Sequence, residues 1–349
     1  MTKHTLDLTT AKILRLNATL FPVSEAEWKK YNEFGLQPLL TESKGPEILN
    51  VAGDCSALLV VSESLDAEVL NGLHHCKVIS RLGTGTDKID VAQATKLGIL
   101  VTNIPDFCVE EQADHTMSLL LGLVRKIPKM QMAMACGKWR ESRLLSSTNP
   151  RLQDRVLGLI GFGGSAKAVA RRAQGFGLRV IACRRQNGFS FPDAQLLGVE
   201  ILSLDEVLQQ SDFLSLHLPL NHETAQLLNR NRLEQMKQGS LLNNTSRGGL
   251  VDELALVDLL REGHLVGAGL DTFSGINVHS SEEAPPEHPL LELENVILTP
   301  HVAAYSEEAM RDVAVGGVEN VVSVLKGKLP PLERIVNPSV LDRNPRLYH

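Results

Sequence analysis

Short apolar runs with strand character recur along the chain, and helix-like segments separate them. The first third contains AKILRL (11–16), ALLVV (57–61), KVISRLG (77–83) and ILVTN (99–103). Between residues 155 and 300 the runs are RVLGLIG, LRVIAC, DFLSLHLP, SLLNNTS, LVGAGLD and NVILTPH. Nearly continuous apolar strands that alternate with helices are typical of parallel sheets covered on both faces. The pattern predicts an α/β protein with two doubly wound parallel-sheet domains, one sheet short and one long.

Two longer segments have helical character. Residues 110–137 predict a long helix that starts with acidic residues and has a kink or break at Pro128. It would bridge the two sheets. Residues 306–327 predict a second long helix, which could return to the first domain and make that domain discontinuous.

Length and composition agree with two domains. A chain of 349 residues exceeds what one hydrophobic core usually holds. We expect a substrate (catalytic) domain at 1–115 plus 303–349 and a dinucleotide-binding domain at 116–302. Hydrophobic content is 43% and charged content 22%, as in ordinary globular proteins. The net charge of −6, without a basic tract, argues against nucleic-acid binding.

The cysteines and the N-terminal residues indicate in which cellular compartment the protein is expected. The five cysteines are scattered without a CxxC pair, which predicts reduced thiols and no metal site. The N-terminal residues carry too many charges for a signal peptide. The apolar run MSLLLGLV (117–124) is too short to span a bilayer. We expect a soluble, cytoplasmic protein without a membrane partner.

A glycine-rich turn follows the predicted strand at 156–161. Gly161, Gly163 and Ala166 stand in a GxGxxG/A frame, and an Ala- and Arg-rich helix follows. The first glycine allows a tight turn, the second lets the backbone approach a pyrophosphate, and the small third residue allows close packing. Glycines also end strands for purely steric reasons, so the motif alone is weak. Within a strand–turn–helix–strand unit it predicts dinucleotide binding at a helix N-terminus.

The next strand, LRVIAC, ends in two arginines where an acid would bind the adenosine ribose. Arg184 and Arg185 follow Gly161 by 23 and 24 residues. An acid there would repel a 2′-phosphate, whereas arginine can pair with one through two hydrogen bonds. We therefore predict a preference for NADP(H), with NAD(H) as the other candidate. The alternative is that the two arginines only solvate a surface loop.

Polar side chains follow four of the predicted strands. In order they are His217, Thr245, Ser246, Arg247, Asp271 and His301. Ligands of open parallel sheets lie beyond the carboxyl ends of the strands, where these residues converge. A cation can hold a substrate carboxylate and polarise its carbonyl, and an imidazole can donate a proton to the developing alkoxide. Each residue alone also has a structural explanation, most of all His217.

Six segments resemble the D-isomer-specific 2-hydroxyacid dehydrogenase family. They are spread over most of the chain, from about residue 57 to 327, and are specific for family and fold rather than for substrate. The segments are SRLGTGTDKIDVAQATKLGILVTNIP (80–105), VEEQADHT (109–116), VLGLIGFGGSAKAVARRAQGFGLRVIA (156–182), LHLPLNHETAQLLN (216–229), LLNNTSRGGLVDELALVDLLREGHLVGAGLDTF (241–273) and NVILTPHVAAYSEEA (295–309).

The resemblance implies a Rossmann domain, a smaller flavodoxin-like domain, a homodimer, and an active site in the cleft between domains. It implies that the amides of Gly83, Thr84 and Gly85 bind the substrate carboxylate, that Arg247 binds and polarises the substrate, and that His301 is the acid/base. It also implies that Asp271 holds the nicotinamide carboxamide. The other implied cofactor residues are Gly164, Ser165, His217, Leu218, Pro219, Thr224, Thr245, Ser246 and Thr116.

The chain departs from the family pattern at the pyrophosphate turn and at the catalytic glutamate. Gly164 and Ser165 stand where the family has Arg-Ile, and Ile276 stands where the family has the glutamate that orients the histidine. Without it, we expect slower reduction with a more acidic pH optimum. Alternatively, the loop carries an insertion and SEEAPPEHPL (281–290) re-supplies the carboxylate from Glu282 or Glu283.

Three functions remain open at this level. The first is an NADP(H)-linked reductase or dehydrogenase of a small 2-oxo/2-hydroxy acid. The second is a dinucleotide-sensing scaffold, because PHVAAYSEEA (300–309) is similar to the corresponding segment of the C-terminal-binding corepressors, which carry tryptophan at the position of Ala304. The third is a pseudoenzyme that binds the cofactor without turnover.

Overall fold

The computed structural model describes Leu8 and residues 11–185, 192–275 and 287–343. The strands within these ranges are β1 Ile13–Leu16, β2 Leu39–Thr41, β3 Ala57–Val60, β4 Val78–Arg81, β5 Leu100–Thr102, β6 Val156–Ile160, β7 Arg179–Cys183, β8 Glu200–Ile201, β9 Phe213–Leu216, β10 Ser240–Asn244, β11 Leu265–Leu270 and β12 Val296–Leu298.

The α-helices within the same ranges alternate with these strands. They are α1 Glu25–Glu33, α2 Leu49–Ala52, α3 Ala67–Asn71, α4 Val91–Lys96, α5 Val109–Arg125, α6 Ile127–Ala135, α7 Trp139–Leu145, α8 Gly164–Gly175, α9 Pro192–Leu196, α10 Leu204–Gln210, α11 Arg230–Glu234, α12 Glu253–Arg261, α13 Glu307–Leu325 and α14 Val340–Arg343. None of these described helices combines the length and apolar content needed to cross a membrane.

The chain divides into two compact units. The first, called the discontinuous unit, comprises Met1–Phe107 and Ser306–His349, and the second, called the central unit, is Cys108–Tyr305. The discontinuous unit contains a five-stranded sheet of order β2-β1-β3-β4-β5, with all pairs parallel. The roles and boundaries predicted for the two domains stay predictions.

The central unit contains a seven-stranded sheet of order β12-β11-β10-β9-β6-β7-β8, again with all pairs parallel. The chain runs outward from β6 in one direction through β7 and β8, and in the other through β9 to β12. The strand order therefore reverses between β6 and β9, where open α/β sheets form a ligand crevice. The two parallel sheets confirm the predicted fold class.

Apolar residues on both faces of the sheets explain the nearly continuous apolar runs. In β6, Leu157 and Leu159 belong to a core cluster that includes residues of α5 and α8, whereas Ile160 belongs to a cluster that includes residues of α10 and α12. The short edge strands β2 and β8 lie outside the predicted runs. The β2 residues Leu39 and Leu40 are exposed, so burial did not select a recognisable pattern there.

The predicted break in the first long helix lies at Lys126, two residues before Pro128. Lys126 has a φ of 54°, and it separates α5 from α6. Pro128 then lies in the first turn of α6, where its missing N–H costs no helical hydrogen bond. Proline thus favours a new helix start rather than a kink within one helix.

The second long helix, α13, packs on the sheet of the discontinuous unit. Ser306 caps its N-terminus by accepting a hydrogen bond from the Ala309 amide at 2.9 Å. Ser80 Oγ donates to the Gly317 carbonyl at 3.1 Å, and a Cβ on Gly317 would lie 2.0 Å from Leu82 Cδ2. A residue with a Cβ at position 317 would therefore displace the Leu82 side chain, which follows β4.

A buried ion pair joins β1 to α1 in the same unit. Arg15 Nε donates to Glu27 Oε1 at 2.9 Å, and the two side chains are only 3% and 2% exposed. The Tyr31 hydroxyl donates to the same carboxylate oxygen at 3.1 Å. The rest of the Arg15 guanidinium donates to the carbonyls of Leu16 and Phe21. This set of three side chains is called the Arg15 network.

Candidate active site

The glycine turn after β6 has the backbone geometry that a pyrophosphate needs. Gly161 has a φ of 95°, and a Cβ there would lie 2.0 Å from the His217 carbonyl oxygen. Apart from Gly163 itself, its chain neighbours and the adjoining helix backbone, no described protein atom lies within 4 Å of the position that a Cβ on Gly163 would take. Gly163 is the N-cap of α8 and has no side chain to bond the first amides of that helix. These amides are left for an anionic group, so the turn fits a dinucleotide.

His217 ties the start of α8 to β9. Its Nδ1 lies 3.3 Å from Ser165 Oγ and its Nε2 lies 2.9 Å from Ser215 Oγ, so both ring nitrogens have hydroxyl partners. Burial lowers the pKa of His217 to about 4, and the imidazole is therefore neutral near pH 7. Ser165, which replaces an isoleucine of the family pattern, thus has a structural partner here.

The predicted cationic residues after β7 each have an acidic partner. Arg184 Nη1 lies 3.1 Å from Asp193 Oδ2, and Arg185 pairs with Glu223. Lys167 of α8 lies 2.8 Å from the same Asp193 oxygen. The end of β7 therefore has a mixed cluster in which cations predominate.

The segment after β9 forms a fixed turn. Thr224 Oγ1 donates to the Pro219 carbonyl at 2.7 Å and accepts from the Asn221 amide at 2.8 Å. Leu218 packs against the hydrophobic core of the central unit. The hydroxyl of Thr224 thus organises the turn after His217, at the same edge of the sheet as the glycine turn.

After β10, Thr245 and Ser246 are buried and Arg247 is partly buried, and all three form hydrogen bonds within the unit. Thr245 Oγ1 lies 2.9 Å from Thr116 Oγ1 of α5, and Ser246 Oγ donates to the Leu216 carbonyl at 2.7 Å. Arg247 Nη1 donates to the Ser246 carbonyl at 2.8 Å. Next to it, a Cβ on Gly248 would lie 2.6 Å from the Phe273 carbonyl carbon, so glycine is needed for the approach of that backbone.

Asp271 holds the turn that carries His301. The Asp271 Oδ1 atom accepts from the Thr299 hydroxyl at 2.6 Å and from the Val302 amide at 2.9 Å, and Oδ2 accepts from the Ala303 amide at 2.9 Å. The His301 amide donates to the Asp271 carbonyl at 2.9 Å. Between these bonds His301 has a φ of 58°, a conformation that is uncommon for a non-glycine residue.

The environment of Asp271 also affects its ionisation. The side chain is fully buried. Burial raises the pKa of the Asp271 carboxyl above its ordinary value, and the hydrogen bonds from Thr299, Val302 and Ala303 oppose this rise. A buried carboxylate in this position needs such donors to stay charged.

His115 of α5 completes this group, and the sequence analysis did not identify it. Its Nε2 lies 2.8 Å from Thr299 Oγ1 and 3.5 Å from Asp271 Oδ1. Because the Thr299 hydroxyl gives its only hydrogen to Asp271, it accepts from His115, which therefore carries a hydrogen on Nε2. The only sequence signal was its position beside Thr116 in VEEQADHT. His115, Thr299 and Asp271 are called the Asp271 network.

The predicted carboxylate loop lies after β4 in the discontinuous unit. Gly83 has a φ of 143° and its carbonyl accepts from the Ile104 amide at 3.0 Å. Thr84 Oγ1 donates to the Ile104 carbonyl at 3.2 Å, and Asn103 Nδ2 donates to the Thr84 carbonyl at 2.7 Å. The residues after β5 thus hold the Gly83–Gly85 loop in a defined conformation.

The acidic residues predicted to orient His301 are Glu282 and Glu283. They lie between residues 275 and 287, outside the residues that the structure describes, as does Ile276 at the family position of the glutamate. Across the part of the chain that the structure describes, no group of three or more His, Cys, Asp or Glu side chains is arranged to hold a metal ion.

Comparison with known proteins supports an NAD-dependent 2-hydroxyacid reductase. Residues 117–303 match the D-isomer specific 2-hydroxyacid dehydrogenase, NAD binding domain. A glyoxylate reductase of Korarchaeum cryptofilum (strain OPF8) is 37% identical over 303 residues, which is 85% of this chain and 87% of the relative. The TT0316 protein from Thermus thermophilus is 36% identical, with a TM-score of 0.80 and coverage of 93% and 99% of the two chains.

An acyclic imino acid reductase solved in complex with NADPH and D-Arg has a TM-score of 0.78 and 27% identity, with coverage of 93% of this chain and 99% of the reductase. The similarity therefore extends over nearly the whole length of each solved relative. The chain belongs to the D-isomer-specific 2-hydroxyacid dehydrogenase family.

Proposed function

We propose that this protein interconverts a small 2-oxo acid and the corresponding 2-hydroxy acid, with NADP(H) preferred over NAD(H). The proposal rests on one observation, that three polar residues follow three adjacent strands at one edge of the sheet. Arg247, Asp271 and His301 follow the adjacent parallel strands β10, β11 and β12, at the same sheet edge as the glycine turn. Bound there, the nicotinamide would supply or accept a hydride.

Arg247 is the proposed substrate cation. A guanidinium presents several N–H donors in a plane, which suits a carboxylate and an adjacent carbonyl oxygen. As the carbonyl is reduced, negative charge grows on its oxygen, and a fixed cation favours that state over the ground state. The hydrogen bond from Arg247 Nη1 to the Ser246 carbonyl restricts the guanidinium and supports this role.

His301 is the proposed acid/base. In reduction its imidazole donates a proton to the alkoxide oxygen of the substrate, and in oxidation it takes the proton back. The positive φ of His301 and the bonds from the flanking amides to Asp271 define the backbone from which the imidazole projects. Asp271 is proposed to hold this turn in addition to its expected contact with the nicotinamide carboxamide.

The Gly83–Gly85 loop is the proposed carboxylate-binding element of the discontinuous unit. Its conformation, with Gly83 at a φ of 143°, suits backbone amides that converge on an anion. The unit as a whole is proposed as the substrate domain and the central unit as the dinucleotide domain. The match of 117–303 to an NAD binding domain supports the second assignment.

The preference for NADP(H) rests on Arg184 and Arg185. The two residues that directly follow β7 in sequence are arginines rather than an acid, so a 2′-phosphate would find cationic donors there, although Asp193 and Glu223 pair with them. The NADPH complex of the imino acid reductase supports this choice by analogy. Exchanging Arg184 for Asp should shift the ratio of kcat/KM values toward NADH, and an unchanged ratio would reject the phosphate-binding role.

Two alternatives exist for the carboxylate partner of His301: either Glu282 or Glu283 supplies it, or His301 has no such partner. If Glu282 or Glu283 serves it, alanine at both positions should lower kcat and lower the apparent pKa of the step that needs protonated His301. If neither serves it, the pH profile of kcat should not change. Ile276→Glu distinguishes the alternatives further, because it should raise kcat only in the second case.

A homodimer in the cytoplasm is also proposed. Within the central unit, α6 and α7 leave five large apolar side chains exposed: Ile127, Met132, Met134, Trp139 and Leu144. The two helices contact each other, and several large apolar side chains exposed on neighbouring helices are typical of protein interfaces. In light scattering after gel filtration, Trp139→Glu should yield monomers, whereas the control Leu332→Glu, at another exposed leucine, should not.

The experiment that tests the function uses the purified chain with NADPH or NADH and a panel of 2-oxo acids that includes glyoxylate, hydroxypyruvate and pyruvate. Oxidation of the cofactor that depends on one of these acids supports the enzyme. Tight cofactor binding without turnover down to pH 5.5 would contradict it and favour a dinucleotide-sensing scaffold or a pseudoenzyme.

A further inference from the structure

The cluster at the end of β7 contains an acid that the proposed function does not use. Asp193, in the first turn of α9, accepts from Lys167 Nζ at 2.8 Å and from Arg184 Nη1 at 3.1 Å through the same oxygen, Oδ2. Lys167 projects from the second turn of α8, the helix that begins at the glycine turn. One carboxylate therefore pairs with two cations that lie at the predicted site of the adenosine ribose.

We infer that Asp193 is an internal competitor of the 2′-phosphate, and that it limits how strongly the protein prefers NADP(H) over NAD(H). The inference rests on the proposed NADP(H) site. A carboxylate and a phosphate accept hydrogen bonds from the same donors, at the same distances. A phosphate that approached Arg184 and Lys167 would meet like charge on Asp193, so the Asp193 side chain must turn away first.

Exposure of the cluster allows this exchange. The side chains of Lys167, Asp193 and Arg184 are 32%, 35% and 34% exposed, so solvent weakens their pairing. Exposed ion pairs contribute little to stability, and a dianion can displace a single carboxylate from them. Lys167 has a second restraint, because its Nζ lies 5.9 Å from the Phe162 ring centroid. Displacement of Asp193 would thus leave Lys167 in place.

The two cofactors should therefore respond differently to the loss of this acid. NADPH must break the Asp193 pairs, and the repulsion between carboxylate and phosphate reduces its affinity. NADH carries no 2′-phosphate, so the pairs remain and its affinity does not depend on them. Asp193 is thus a specificity-determining residue that acts against NADP(H), although it lies nine residues after the arginine that favours NADP(H).

The test measures binding of 2′,5′-ADP and 5′-AMP to the full chain by calorimetry, because these probes differ only in the 2′-phosphate. Asp193→Asn should tighten 2′,5′-ADP by about fivefold, which matches a weak exposed ion pair, and should leave 5′-AMP within about twofold. Glu200→Gln is the matched control, since Glu200 is also an exposed acid that pairs with an arginine, Arg179. It should change neither affinity by more than about twofold.

Unchanged or weaker binding of 2′,5′-ADP to Asp193→Asn would overturn the inference, because Asp193 would then orient Arg184 for the phosphate. Asp193→Ala repeats the test if the asparagine variant misfolds. The wild-type ratio of the two affinities tests the proposed cofactor preference separately. If wild type binds the probes equally and Asp193→Asn gains 2′,5′-ADP affinity, the preference fails and the inference stands. If neither probe binds wild type or variant, both fail.

Discussion

The two units each bury a carboxylate that accepts more than one hydrogen bond, but the donors differ. In the Arg15 network, Glu27 receives hydrogen bonds from the side chains of Arg15 and Tyr31. In the Asp271 network, two of the donors to the carboxylate are backbone amides, those of Val302 and Ala303. The first network joins side chains of neighbouring elements, whereas the second determines the course of the main chain.

This difference separates a packing role from a positioning role. Glu27 and Arg15 compensate each other's charge between β1 and α1, and a well-packed apolar group could replace them without loss of stability. Asp271 instead holds a turn in which His301 has a φ of 58°. Unusual backbone conformations persist where surrounding bonds over-determine them, and they cluster at functional sites. The same chemistry therefore stabilises one unit and positions a proposed catalytic residue in the other.

The largest expected effect breaks the Arg15 network. Glu27→Gln leaves the buried Arg15 charge without its partner, so the free energy of unfolding should fall by about 3–5 kcal/mol. Chemical denaturation measures this change, and kcat per folded molecule should stay within about twofold. The double variant Arg15→Met/Glu27→Leu should recover most of the lost stability. If it is as unstable as Glu27→Gln, the network is more than a compensated ion pair.

The next prediction concerns the stability of the protein as a function of pH, which should depend on the buried imidazole of His217. The pKa of His217 is about 4 in the folded chain and 6.5 ordinarily, so the unfolded chain binds the proton first as pH falls. Stability should thus be full above pH 6.5 and should decline by about 3 kcal/mol between pH 6.5 and 4. His217→Gln should flatten this decline, while His222→Gln, at an exposed position, should not. An unchanged slope for His217→Gln would contradict the assignment.

The next prediction addresses Asp271 directly. Asp271→Asn keeps the size of the side chain but replaces one accepting carboxylate oxygen with an NH2 group. That group cannot accept the hydrogen bond from a backbone N–H. We expect kcat to fall about 100-fold, or about 2.7 kcal/mol, because the His301 turn relaxes. Steady-state kinetics with the best 2-oxo acid measures the loss. The free energy of unfolding should fall by less than the loss in kcat expressed as a free energy. If it falls by more, Asp271 is equivalent to Glu27, and the contrast between the networks disappears.

The smallest effect belongs to His115, which bonds to Asp271 mainly through Thr299. His115→Leu should lower kcat about tenfold with KM for the 2-oxo acid changed by less than about twofold, because it weakens one of several restraints on Asp271. His115→Gln can still donate to Thr299 and should restore most of kcat. Equal losses in both variants would indicate that only the shape of the imidazole matters.

Much of the architecture was predictable because its causes are local in sequence. Apolar runs predicted ten of the described strands, since strands buried on both faces exclude polar residues. The break near Pro128 was predictable because proline favours a helix start. Edge strands β2 and β8 were not, because Leu39 and Leu40 are exposed and carry no burial pattern. The order of residues at strand ends followed directly from the parallel topology.

The sequence by itself determined the family, the α/β class and the glycine turn, because these depend on residue types at fixed short spacings. Tertiary structure decided which side chains meet. His115 contacts Thr299 across 184 positions of sequence, and Lys167 contacts Asp193 because α8 packs against β7 and α9 packs against the neighbouring strand β8. Such partnerships depend on distances of a few ångströms between segments far apart in the chain. No local pattern encodes them, and they set both the His301 turn and the charge that a cofactor phosphate would meet.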